Sequence, residues 1–142
     1  MPLVVFDLDG TLLQTTGVDD ACFVRAMDDA LGIRGFVTDW SDYAHATDTG
    51  LVAEIVRRSL GRDAGADDLH AVHESFTTLL RGQAVERPDR FTPVPGAGAM
   101  LERVRTLRGS GWSAGLATGA WRASAAIKVA AARLDVADLP AA

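Results

Sequence analysis

The sequence predicts an α/β fold in which a parallel sheet carries an all-helical insertion after its first strand. Three observations lead there. The apolar run Leu3-Val4-Val5-Phe6 stops abruptly at Asp7-Leu8-Asp9-Gly10, as a strand buried on both faces does. Three helical patterns then follow one another up to about residue 80. A Pro/Gly-rich connection next leads into a helix, a second apolar strand and a last helix.

Taken in order, the first helix is expected from Val18 to about Leu31, because Phe23, Met27, Ala30 and Leu31 recur at helical spacing. Asp19 and Asp20 suit its positive N-terminal end, and Gly32 suits its stop. The spacing of Val52, Ile55, Val56 and Leu60 predicts a second helix from about Thr49. Leu69, Val72, Phe76, Leu79 and Leu80 predict a third from about Asp67, with Gly61 and Gly82 as the stops. Pro88, Pro93, Pro95, Gly96 and Gly98 break any regular element, so residues 87–98 read as a connection. Met100, Leu101, Val104 and Leu107 then mark a helix, Trp112 to Ala117 a strand ending at Thr118-Gly119, and Arg122 to Arg133 a final helix. The expected domains are a core of residues 1–15 and 88–142 and a helical cap of residues 16–87.

A chain of 142 residues, 48% hydrophobic and 23% charged, is long and apolar enough to pack one core. The net charge of -5 and the lack of a dense Lys/Arg run argue against nucleic acid as a partner. The first apolar run is too short for a membrane span and has no basic leader before it, so no membrane partner and a cytoplasmic location are expected. Cys22, the single cysteine, reads as core filler and excludes an internal disulfide.

Chemistry is suggested by two carboxylates two residues apart at a strand end. Like charges so close raise each other's proton affinity and cost stability unless a cation or hydrogen bonds offset them. Mg²⁺ takes oxygen ligands and is commonly held by one or two carboxylates plus a substrate phosphate. In open α/β sheets ligands sit beyond the carboxyl ends of the strands, so the turns at Asp7 to Thr11 and at Thr118-Gly119 should face one crevice. The alternative for Asp7 to Thr11 is a capped turn with no chemistry, and for Lys128 a solvated position on its helix.

The stretch Val5-Phe6-Asp7-Leu8-Asp9-Gly10-Thr11-Leu12-Leu13 resembles the first signature motif of the haloacid dehalogenase-like superfamily. Pro95-Gly96-Ala97 with the helix after it, then Leu116-Ala117-Thr118-Gly119, is similar to the approach to the family's second motif. Ile127-Lys128-Val129 resembles the third-motif lysine of phosphoglycolate phosphatase-like members.

The resemblance implies a Rossmann-like core and a phosphatase acting on a small phosphorylated metabolite with Mg²⁺. Asp7 would attack phosphorus, Asp9 would serve as acid and then base, and Thr118 and Lys128 would complete the catalytic group. Phosphate contacts would come from Leu8, Gly10, Thr11, Thr118, Gly119 and Lys128, and metal contacts from Asp7 and Asp9, the latter through its main-chain carbonyl. A phosphomutase or a non-catalytic member of the fold would share these residues.

Nothing after Lys128 resembles the family's fourth motif, an acidic pair that completes the metal site. A chain truncated before that motif, or a sheet completed by an oligomer or a further segment, is therefore expected, with weak metal binding by the chain alone. His45, His70 and His73 show no metal-ligand spacing and are expected at the surface or packed within the cap. Thr47-Asp48 is expected to cap its helix, and Trp121 to border the pocket.

Overall fold

The strand expected at the start forms, and its partner is the strand expected near the end. In the computed structural model, which describes residues 2–140, β1 (Leu3–Phe6) pairs in parallel with β4 (Ser113–Leu116), from Leu3 opposite Ser113 to Phe6 opposite Leu116. The register aligns the ends of the two strands, and the Ala117 N–H donates to the Phe6 carbonyl at 2.8 Å. The turns after β1 and β4 are thereby fixed side by side.

Between them run α1 (Thr16–Leu31), α2 (Asp48–Leu60), α3 (Ala66–Glu86) and α4 (Ala97–Arg108), and after β4 comes α5 (Arg122–Ala131). Two strands were not foreseen. β2 (Leu13–Gln14) and β3 (Thr92–Pro93) pair antiparallel, so the passage from the β1 turn into the helices and the return from them lie side by side. Strands of two residues carry no periodicity to read, and one of them contains a proline.

Gly32 and Gly61 end α1 and α2 in the left-handed conformation, at φ 67° in both cases, where glycine has no Cβ to clash. Gly82 does not end α3, a correction to the sequence expectation. The helix runs four residues beyond it to Glu86. A mid-helix glycine costs only about 1 kcal/mol against alanine. The effective stop is Pro88, which disfavours helical geometry in the residue before it, and Arg87 sits at φ -135°.

The helices bury one stripe each. α1 packs on α3 through Phe23, Met27 and Phe76, with the Phe23 and Phe76 rings edge to face at 5.7 Å. α3 also packs on α5, joining the helical insertion to the sheet layer. Beneath α4 lie Leu101, Val104, Ala114 and Leu116. Cys22 is buried and free.

One face of β1 stays open: Leu3 is 63% and Val5 55% exposed, unlike a strand covered on both faces. On the outer edge of β4 the Leu116 N–H donates to the Pro140 carbonyl at 2.9 Å. Among the described residues no helix is long and apolar enough to cross a membrane.

Candidate active site

The turn after β1 is built on one carbonyl. The Leu8 oxygen accepts from the N–H groups of Thr11, Leu12 and Leu13, while the Gly10 N–H donates to the Leu13 oxygen at 2.8 Å. Closing so tightly requires Gly10 at φ 80°, a conformation that a side chain would strain. Leu8 is fully buried and anchors the turn, leaving Asp7 and Asp9 at its mouth. The Thr11 hydroxyl donates to Asp7 Oδ2 at 3.2 Å, and the Thr15 hydroxyl to Asp9 Oδ1 at 3.0 Å.

Lys128 reaches this turn from α5. Its side chain is buried, and Nζ donates to both Asp9 oxygens at 2.8 Å. Asp19 Oδ1 lies 3.0 Å from the same ammonium, an ion pair whose angle does not make a regular hydrogen bond. One cation thus sits between two carboxylates. Burial pushes the Lys128 ammonium down, but Asp19 and Asp9 more than offset it and hold it above the usual lysine range. Burial also pushes the Asp19 carboxyl up to about 6, against the pull of Lys128 and with the help of Asp9.

The turn after β4 is clamped by the helical insertion. The Asp48 N–H donates to the Gly119 carbonyl at 2.9 Å, and Asp48 Oδ2 accepts from the Trp121 N–H at 2.8 Å. Burial raises the Asp48 carboxyl, the Trp121 bond opposing it. Trp121 Nε1 donates to the Thr49 hydroxyl at 2.8 Å. The contact is close: a Cβ on Gly119 would lie 2.9 Å from the Ala46 oxygen and 3.1 Å from the Thr47 Cα. Thr47 caps α2, its hydroxyl accepting from the Gly50 N–H at 3.1 Å.

Both turns open into one cavity of about 530 Å³, whose lining includes Asp7, Asp9, Thr118 and Gly119. Acids at the tip of one parallel strand and a threonine turn at the tip of its neighbour line a single pocket, with a buried lysine behind Asp9.

The model of the haloacid dehalogenase-like hydrolases matches residues 1–141. The chain belongs to this family. Solved structures agree at the level of the fold. A hydrolase from Pseudomonas syringae aligns at a TM-score of 0.73 and 20% identity, over 100% of this chain and 61% of that one. A family IA, variant 3 member from Entamoeba histolytica gives 0.65 at 16% identity, over 99% and 61%. CbbY from Rhodobacter sphaeroides, in complex with phosphate, gives 0.63 at 18% identity, over 92% and 56%. The chain therefore spans about three fifths of the length of these neighbours. No curated protein matches it.

Of the residues expected to act, the fold brings Asp7, Asp9, Thr118 and Gly119 to the cavity. Gly10 and Thr11 are exposed in the turn beside it, and Leu8 is fully buried beneath them. Lys128 is not solvated: it lies behind Asp9, its donors engaged by carboxylates. Trp121 lies against His73 and Phe76 of α3, with ring centroids 5.1 and 6.0 Å away. Asp135 and Asp138 pair with Arg105 and Arg108.

The sequence reading missed Asp19 and Asp48, both of which line the cavity, and Trp40 and Phe23 in its wall. A signal was present for the acids. Asp19 precedes Phe23 and Met27 at intervals of four, and Asp48 precedes Leu51, Val52 and Ile55, so each heads the apolar stripe of its helix.

Proposed function

We propose that this chain hydrolyses a phosphate monoester of a small metabolite through an aspartyl-phosphate on Asp7. The observation that carries the reading is the division of labour between the two acids. The Asp7 carboxylate is exposed at the cavity, while Asp9 is gripped by Lys128 and Thr15. A carboxylate held only by a neighbouring hydroxyl suits a nucleophile, and a second carboxylate fixed beside it is placed to carry the proton.

In the first half-reaction an Asp7 oxygen bonds to phosphorus, the bond from phosphorus to the leaving oxygen breaks, and that oxygen takes a proton from Asp9. In the second, Asp9 takes a proton from water, the water oxygen attacks phosphorus, and inorganic phosphate leaves with Asp7 restored. Thr118 Oγ1 already accepts the Ala120 N–H at 3.1 Å, which holds the hydroxyl at the turn where phosphoryl oxygens would lie.

Among the described residues no group of three or more His, Cys, Asp or Glu is arranged around a metal position. The Asp9 carboxylate is engaged, leaving the Asp7 carboxylate and the Asp9 main-chain carbonyl as the oxygen donors of the turn. That set fits Mg²⁺, which keeps much of its shell as water and substrate phosphate. When bound there, Mg²⁺ would neutralise charge on the phosphoryl oxygens.

A second reading is favoured by the exposed Leu3 and Val5: the sheet is completed by another polypeptide, and turnover depends on it. Phosphate release from an aryl phosphate, with Mg²⁺ and with EDTA, tests both. Metal-dependent turnover lost in Asp7→Asn, with folding unchanged by circular dichroism, supports the first. Turnover retained by Asp7→Asn refutes it, and a chain as silent as its variant points to the second.

A further inference from the structure

The cavity lining is of two chemical kinds. Besides Asp7, Asp9, Thr118 and Gly119 it includes residues of α1 and of the segment 40–51, among them Asp20, Phe23, Trp40 and Leu51. Trp40 is held in place there. Its Nε1 donates to Asp20 Oδ1 at 2.9 Å, and its ring meets Phe23 edge to face at 5.6 Å. The wall therefore offers a fixed aromatic surface with a carboxylate at its edge.

Charge in the pocket is one-sided. Asp19, Asp20 and Asp48 line it together with Asp7 and Asp9, and among the described residues no Lys, Arg or His does. Lys128, behind the floor, is spent on Asp9 and Asp19. Arg58, which joins the aromatic group through Tyr43 at 4.6 Å, is spent on Glu54 and the Asp42 carbonyl.

A phosphoryl group at Asp7 can be met by Thr118, the turn amides and a metal ion. A second anion on the leaving group would face carboxylates with no cation to pair with, in a pocket where such charges are poorly screened. An aromatic wall edged by a carboxylate suits an apolar face carrying an ammonium or hydroxyl donor.

We infer that the substrate is a phosphate monoester of an uncharged or cationic alcohol with an apolar or aromatic face, and not of a hydroxy acid or a second phosphate. The inference rests on the reading of this cavity as a phosphatase site. It sets the chain apart from an acid ester such as phosphoglycolate.

The test is calorimetric titration of the full chain bearing Asp7→Asn, in Mg²⁺, with phosphocholine, phenyl phosphate and phosphoglycolate. The first two should bind at least about tenfold more tightly than the third. Adding Asp20→Asn, which keeps an acceptor for Trp40 but removes the charge, should narrow the phosphocholine preference several-fold. Adding Trp40→Ala instead should weaken phenyl phosphate while leaving phosphoglycolate unchanged. Phosphoglycolate binding as tightly as the others would overturn the inference and leave the phosphatase reading standing. Binding of none of the three would overturn the phosphatase reading and the inference with it.

Discussion

Asp19→Asn should make the protein more stable at neutral pH and change nothing at acid pH. The Asp19 side chain is only 20% exposed, and its carboxyl is pushed from 3.8 to about 6 in the folded protein, chiefly by burial. A folded pKa raised above the unfolded one means that the native state holds this proton more tightly. Its contribution is thus fully present below about pH 4, is lost as pH rises through about 6, and is constant above that. The shift corresponds to about 3 kcal/mol. Asparagine cannot ionise and escapes the loss, while Lys128 keeps both Asp9 oxygens as partners. Urea unfolding of both proteins at pH 4, 5, 6 and 7 isolates the effect, since other titrating groups largely cancel in the difference. The stability difference, variant minus parent, should climb by about 2–3 kcal/mol across that range. A difference that stays flat would show that Asp19 is ionised at no cost, and the account of the buried cluster would be wrong.

Lys128→Met should be the reverse case, leaving Asp9 and Asp19 to face each other without a cation, at a cost of about 3–5 kcal/mol in urea unfolding and with loss of turnover. A cost below about 1 kcal/mol would mean that the lysine is not holding the acids. Gly119→Ala should drive a methyl into the Ala46 carbonyl and the Thr47 backbone, costing about 1–3 kcal/mol and lowering kcat/KM as the insertion is pushed off the turn; an unchanged Tm would refute that contact. Thr47→Ala should cost about 1 kcal/mol through loss of the α2 cap, measured in the same unfolding assay.

Order of elements was legible because each is long enough to show a period. The tight turn at Asp7 to Thr11 was legible because a tight strand end tolerates few residue types, with Gly10 at positive φ as the clearest case. The β2–β3 ribbon was not, since pairing of two residues depends on partners almost 80 positions apart in the chain. Gly82 misled because a glycine inside a helix and one at its end look alike in sequence, and the stop is set by Pro88 six residues on. Lys128 stood among alanines on an apolar helix, which allowed either solvent or a buried acid as its partner. Only the position of α5 behind the β1 turn decides for the acid.

Asp19 and Asp48 were assigned to helix starts, and that assignment and their place in the cavity have one physical origin. Asp48 is the first residue of α2, and Asp19 lies in the first turn of α1. A helix start carries partial positive charge and unpaired N–H groups, worth about 0.3–1 kcal/mol to a nearby carboxylate at the surface and up to about 2 kcal/mol where partly buried. This is where a fold can bury an acid at least cost. With α1 and α2 both starting at the cavity rim, the pocket gathers carboxylates without gathering lysines to match them. Lys128 answers Asp19, but among the described residues no ion pair answers Asp48 or Asp20, so helix placement and preference against a second anion share a cause. Restoring a cation at the rim, as in Asp20→Lys, should therefore admit an anionic leaving group more readily than any change at Asp7 or Thr118. Titration of phosphoglycolate into that variant would measure this, and an affinity no better than the parent's would separate helix placement from ligand preference.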